Sequence, residues 1–239
     1  MSKDRLLEAK VALITGASRG IGLAIARSLA AMGAKLGLCA RDPGRLIGVA
    51  AEFERHGVPV LALPADVSRP GDIASLVQKT EHSLGPIEIL VNNAGIGIFG
   101  PIQEASEANW DAVLDTNLKS VFLLSRAVAP GMIARRSGHI VNIVSLAGKN
   151  AFAGGSIYCA SKWGLLGLTE CMAEDLRAHG IRVSAVCPGS VATDFSLHGN
   201  KDPQKMLQPE DVAHAVAMIL TQAPQSFISE VLLRPTQKP

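Results

Sequence analysis

Lys10-Val11-Ala12-Leu13-Ile14-Thr15-Gly16-Ala17-Ser18-Arg19-Gly20-Ile21-Gly22 is the stretch from which the fold is read. It begins as a short apolar run stopping at Gly16, as expected of a strand buried on both faces. It ends as a glycine-rich loop, G-x-x-x-G-x-G, that leads into a helical pattern from Leu23 to Met32 with a stop at Gly33. Between a strand and a helix, such a loop lets a pyrophosphate approach bare backbone at the helix amino terminus. Gly16, Ser18, Arg19, Gly20, Ile21 and Gly22 are therefore the first candidate binding residues.

The next strand, Lys35 to Ala40, tests which dinucleotide this is. Folds that take NAD usually carry an acid at its end for the ribose 2′-hydroxyl, whereas an arginine accommodates a 2′-phosphate. Here Ala40 stands at the acid's place and Arg41 follows. Asp42, beside Pro43, reads as the start of a helix. With Arg19 in the loop as a second cation, the pattern favours NADP(H).

The alternation then continues. Helices are expected over Gly44–His56, Arg69–Leu84, Ala108–Arg136, Ile157–His179 and Pro209–Gln222. Strands are expected over Val58–Leu63, Ile87–Val91, Ile140–Val144, Ile181–Cys187 and Phe227–Leu233. Strand–helix alternation of this kind describes an α/β, Rossmann-type doubly wound sheet of seven mostly parallel strands, with helices on both faces. With no repeat or linker, residues 1–239 read as one dinucleotide-binding and catalytic domain.

Composition narrows the class. The chain is 48% hydrophobic and 18% charged with a net charge of +2, and its basic residues are scattered, which argues against nucleic-acid binding. No apolar run reaches the length of a membrane span, and Met1-Ser2-Lys3-Asp4-Arg5 lacks a signal-peptide core. Cys39, Cys159, Cys171 and Cys187 have no C-x-x-C spacing and read as reduced, mostly buried thiols of a cytoplasmic protein. The histidines form no close pair, so no metal site is expected.

Chemistry concentrates at Ser156-Ile157-Tyr158-Cys159-Ala160-Ser161-Lys162. Tyr158 and Lys162 are four apart and share a helix face. A lysine ammonium beside a phenol favours the phenolate, so a lowered tyrosine pKa is expected. Ser145 follows the apolar run Ile140–Val144, which puts its hydroxyl at a strand's carboxyl end, where open α/β sheets bind ligands.

Together these segments resemble the short-chain dehydrogenase/reductase family, in its single-domain branch, over nearly the whole chain. The motifs carrying the likeness are Thr15–Gly22, Asp66-Val67, Asn92-Asn93-Ala94-Gly95, Asn117, Ser145, Tyr158-Cys159-Ala160-Ser161-Lys162, and Pro188-Gly189 followed by Val191 and Thr193. The resemblance implies that Asp66 and Val67 hold the adenine, and Asn93 with the backbone of Ala94 and Gly95 the adenosine ribose. It gives Thr193, with Pro188, Gly189 and Val191 about it, the nicotinamide carboxamide. It implies a catalytic set of Asn117, Ser145, Tyr158 and Lys162, in which Asn117 holds a water linking Lys162 to solvent.

The implied activity is NADP(H)-dependent interconversion of a ketone or aldehyde with an alcohol. The specific alternative is a 3-oxoacyl-[acyl-carrier-protein] reductase, although the chain ends Ser229–Thr236 without the glycine-rich turn usual in those enzymes. The alternative of another class is a non-catalytic NADP(H)-binding sensor or scaffold. In this family the segment about 190–208 selects the small-molecule carbonyl or alcohol substrate. Ser145, Leu146, Phe152 and Phe195 are the candidate substrate residues, with Ile96, Leu197, Met206, Leu207 and His198 as further pocket candidates. Helices over Leu118–Ile133 and Ile157–Leu176 are apolar beyond a single stripe, so a homotetramer or dimer is expected.

Overall fold

The computed structural model describes residues 5–195 and 202–239. Seven strands form one sheet, β1 (Val11–Thr15), β2 (Lys35–Ala40), β3 (Val60–Pro64), β4 (Ile87–Asn92), β5 (Gly138–Ile143), β6 (Ile181–Pro188) and β7 (Glu230–Leu233). Their order is β3-β2-β1-β4-β5-β6-β7, and every pair is parallel. The order reverses direction beside β1, between β1 and β4, which is the switch point where a dinucleotide binds.

The helices are α1 (Gly20–Ala31), α2 (Pro43–Arg55), α3 (Pro70–Leu84), α4 (Glu107–Leu114), α5 (Ser120–Arg135), α6 (Ser156–Arg177) and α7 (Pro209–Leu220). Along β1, alternate side chains enter different cores. Ala12 and Ile14 pack with Ile25 and Leu29 of α1, Leu46 and Phe53 of α2, and Val216 and Ile219 of α7. Val11 and Leu13 pack on the other face with Leu76 of α3 and Leu124, Val128 and Met132 of α5. Burial of each such Leu, Ile or Met contributes about 1.5–3 kcal/mol, which is why the strands read as unbroken apolar runs.

Local chemistry sets the boundaries. Asp42 caps α2, its Oδ1 accepting from the Arg45 amide at 3.1 Å, and Pro43 follows at the first helical position. β3 and β7 start later than the apolar runs suggested, at Val60 and Glu230, because pairing with β2 and β6 begins only there. The helical signal over Ala108–Arg136 is likewise divided. Between α4 and α5, Asp115–Lys119 forms a π-helical turn, with Asn117 buried at its centre. Such bulges redirect one side chain without ending the helix.

Candidate active site

A cavity of about 1020 Å³ runs along the carboxyl ends of the strands. At one end lies the glycine loop. Gly16 (φ +66) and Gly20 (φ +56) adopt the left-handed backbone that favours glycine, and Arg19 precedes α1 without a side-chain cap on the helix. The first-turn N–H groups of α1 thus keep their capacity to bind an anion. Gly22 does not line the cavity. A Cβ there would lie 2.5 Å from Asn93 Nδ2 and against the Gly16 carbonyl, so Gly22 is the point where helix, loop and β4 close on one another.

Thr15 and Asn93 build that closure. Thr15 Oγ1 accepts from the amides of Asn93 and Ala94, each at 3.0 Å. Asn93 Nδ2 returns bonds to the carbonyls of Thr15 (2.9 Å) and Gly16 (3.2 Å). The Asn93 amide group therefore braces the loop, although the residue also borders the cavity with Ala94 and Gly95.

Beyond the loop, the cavity wall carries Arg41, Asp66 and Val67 as the sequence suggested, and also Arg45. Asp42 is turned to its own helix, its Oδ2 3.3 Å from Arg45 Nε. Burial pushes the Asp66 carboxyl up, but the Ser68 amide and hydroxyl, with Arg41 and Arg69, outweigh it and hold it below its ordinary value. Three arginines (19, 41 and 45) with Ala40 at the strand end fit a dinucleotide bearing a 2′-phosphate. Arg45 was missed because, read as a helix residue, its third position beyond the Asp42 cap drew no notice.

At the other end, Ser145, Tyr158 and Lys162 converge. Tyr158 and Lys162 are buried on α6, and Ser145 follows the last residues of β5. The expected lowering of the tyrosine pKa is not what the structure gives. Burial pushes the Tyr158 phenol up to about 12, against a hydrogen bond from Ser145 that pulls it down. Lys162 stands 5.9 Å from the phenol ring centroid, and its Nζ donates to the Ile143 carbonyl at 2.9 Å. Burial also brings the lysine down to about 8, so desolvation outweighs the pairing assumed from the helix spacing.

Asn117 lies off the cavity, and its side chain is fully engaged. Oδ1 accepts from the Ile96 amide at 2.8 Å, while Nδ2 donates to the Ile96 carbonyl (2.9 Å) and Ser161 Oγ (3.1 Å). It ties the loop after β4 to α6 just below Lys162. Any water linking Lys162 to solvent would need partners other than this amide.

The substrate candidates Leu146, Phe152 and Phe195 border the same end, together with Ile96. Pro188, Gly189, Val191 and Thr193 line the cavity after β6, with Thr193 Cγ2 3.2 Å from the place of a Gly20 Cβ. Leu197 and His198 lie outside the described residues, and Met206 and Leu207 pack away from the cavity wall. Phe99, which the sequence reading passed over, stacks edge-on to Tyr158 at 5.4 Å. Cys159 is buried beside Tyr158 and makes only a long 3.9 Å contact with the Asn150 carbonyl. Among the described residues no cluster of His, Cys, Asp and Glu has the makings of a metal site, and no helix is long and apolar enough to cross a membrane.

The short chain dehydrogenase family model matches residues 10–204, and the chain belongs to that family. A 3-oxoacyl-[acyl-carrier-protein] reductase of Synechocystis sp. is 37% identical over 231 residues, 93% of this chain and 94% of its own. An uncharacterized oxidoreductase of Staphylococcus saprophyticus is 36% identical over 230 residues, 96% of this chain and 98% of its own. Among solved structures, a metagenomic short-chain oxidoreductase in complex with NADP superposes with a TM-score of 0.87 at 47% identity, covering 98% of this chain and 100% of that one.

Proposed function

We propose that this protein is an NADP(H)-dependent oxidoreductase that interconverts a ketone or aldehyde with an alcohol. The observation carrying this reading is the meeting of Ser145, Tyr158 and Lys162 at one end of a cavity whose other end is the glycine loop. The glycine loop, Arg19, Arg41 and Arg45 would hold the pyrophosphate and 2′-phosphate, and Thr193 the carboxamide. When bound, NADPH supplies the hydride that forms the new C–H bond and leaves as NADP⁺.

The chain's own residues supply the rest. Ser145 and Tyr158 donate hydrogen bonds to the carbonyl oxygen, where negative charge develops as its π bond breaks. Tyr158 then gives its proton to that oxygen. A phenol held near 12 by burial keeps its proton at neutral pH, which suits it to the reduction direction. Lys162 lies close enough to return a proton to the phenolate, and Asn117 fixes the α6 turn on which it stands. Tyr158→Phe keeps the ring and removes only the hydroxyl, so turnover should vanish while NADPH still binds. Near-normal turnover by that variant would end the assignment.

A narrower reading, reduction of a 3-oxoacyl thioester on an acyl carrier protein, is favoured by the likeness to the Synechocystis reductase. Comparing thioesters with simple ketones separates the two. The exposed Phe122 and Trp163 on α5 and α6 support assembly into a dimer or tetramer, which sedimentation would test. The free thiols of Cys39, Cys159, Cys171 and Cys187 support a cytoplasmic setting.

A further inference from the structure

The sequence holds six phenylalanines and one tyrosine, and three of the six surround that tyrosine. Phe99 meets Tyr158 at 5.4 Å with the rings at 69°, and Phe195 meets it from another side at 5.9 Å and 53°. Phe152 closes on Phe99 at 6.0 Å and 49°. The three come from different segments, after β4, after β5 and after β6, so the fold brings them together.

Bare backbone lies beneath the rings. A Cβ on Gly97 would stand 2.6 Å from Phe99 Cζ and 3.1 Å from Phe195 Cε1, and one on Gly155 would stand 2.6 Å from Phe152 Cζ. The rings fold down onto these glycines, yet Phe99, Phe152 and Phe195 stay 45%, 48% and 40% exposed, and all three line the cavity. Apolar ring surface left open beside a proton donor is surface that a ligand would cover. Phenylalanine has only two side-chain torsions, so the slot is stiff, and tilted or edge-on rings accept another ring in the same geometry.

Charge is absent from this slot. Arg41, Asp42, Arg45 and Asp66 belong to the opposite end of the cavity, Arg19 is paired with Asp194 at 2.8 Å, and Lys162 is buried under Tyr158. Arg234 borders the cavity after β7 and is exposed, and no charged residue stands within the phenylalanine trio.

We propose that the substrate is an uncharged aryl carbonyl compound, its ring seated among Phe99, Phe152 and Phe195 and its carbonyl oxygen reaching Ser145 and Tyr158. This rests on the carbonyl-reducing function proposed above. In the reduction the carbonyl carbon gains the hydride, the oxygen gains the Tyr158 proton, and NADPH is oxidised in balance.

The test compares kcat/KM with NADPH for acetophenone, cyclohexyl methyl ketone and an acetoacetyl thioester. The two ketones match in size and differ in whether the ring is flat and aromatic. An aromatic contact beyond simple burial should favour acetophenone by about fivefold or more, and Phe99→Leu and Phe152→Leu should each erase most of that ratio. In saturation-transfer NMR on the protein without cofactor, acetophenone ring protons should carry the strongest signal and lose it in both variants. If Phe99→Leu folds poorly, Phe152→Leu, the more exposed site, decides the matter. Equal ketones with a ratio unmoved by the variants, or a thioester preferred to both, would overturn this inference and leave carbonyl reduction standing. Absence of turnover with all three, while NADPH binds, would instead defeat the carbonyl-reducing reading itself.

Discussion

Arg19 Nη1 and Asp194 Oδ2 meet at 2.8 Å although 175 residues separate them. The pair ties the glycine loop to the segment after β6, and both side chains are more than half exposed, at 54% and 70%. An exposed pair of this kind contributes less than about 1 kcal/mol. A cofactor phosphate competes for the same guanidinium and makes the stronger, charge-assisted bond.

Removing one partner or the other should therefore act in opposite directions. Asp194→Asn frees the guanidinium, and NADPH affinity should rise about two- to threefold, an effect that fades as salt is added. Arg19→Ala should weaken NADPH about tenfold more than NADH. Fluorescence titrations with both cofactors check this, and equal losses for NADPH and NADH would remove Arg19 from the 2′-phosphate site.

Because Tyr158 is the only tyrosine in the chain, an ultraviolet titration reads its phenol directly. Burial pushes it up to about 12, so no more than about a tenth should be ionised near pH 11 in the protein without cofactor. Half-ionisation below pH 10 would mean that the charge on Lys162 outweighs burial after all.

Lys162 offers a trade between stability and function. Its folded value of about 8 lies below the ordinary 10.5, so the unfolded chain takes up the proton first as pH falls. Stability is lost as pH drops from 10.5 to about 8, and near neutrality the buried lysine costs up to about 3 kcal/mol. Lys162→Met removes that cost but leaves the Ile143 carbonyl without its donor, worth about 1–3 kcal/mol. The variant should melt at or a few degrees above the wild type and be inactive. A melting point several degrees lower would show that the lysine stabilises the fold.

The sheet was legible in the sequence because its strands are buried on both faces and so read as plain apolar runs. The cofactor end was legible for a similar reason. Gly16, Gly20 and Gly22 answer to backbone geometry, which leaves a mark in residue type. The substrate end was not. Phe99, Phe152 and Phe195 come from three separate segments, and only the folded chain gathers them around Tyr158. The tyrosine–lysine pair was found, but its electrostatics were misjudged, since helix spacing reports proximity and says nothing of desolvation. The division of the Ala108–Arg136 signal was hidden too, because a π turn keeps nearly the periodicity of the helix around it.

Gly22 separates helix propensity from packing. In the first turn of α1, alanine would gain up to about 1 kcal/mol from propensity alone. Its Cβ, however, would lie 2.5 Å from Asn93 Nδ2 and against the Gly16 carbonyl. Neither can yield without opening the brace between the loop and β4. Gly22→Ala should thus destabilise by about 1–3 kcal/mol and weaken NADPH binding about tenfold or more. A more stable variant would show that this packing is looser than the distances imply.

His139 carries the last prediction. It is buried on β5, with Nε2 2.9 Å from Ser184 Oγ, and that hydroxyl donates onward to the Ile228 carbonyl at 2.6 Å. Ser184 must then accept from His139, which puts the imidazole proton on Nε2 and leaves Nδ1 as a buried acceptor with no partner among the described residues. Burial, with Arg182 and Lys10 nearby, lowers the imidazole from 6.5 to about 3. The unfolded chain therefore binds this proton first as pH falls below 6.5, and stability declines until the folded group titrates. At about pH 5 the loss from this residue alone is about 2 kcal/mol. Carboxylates also titrate in this range, so the comparison is with His139→Leu, which keeps the volume and lacks the titration. Denaturant midpoints should fall more steeply between pH 6.5 and 5 in the wild type than in His139→Leu, and parallel slopes would mean that the folded imidazole takes up its proton as readily as the unfolded one.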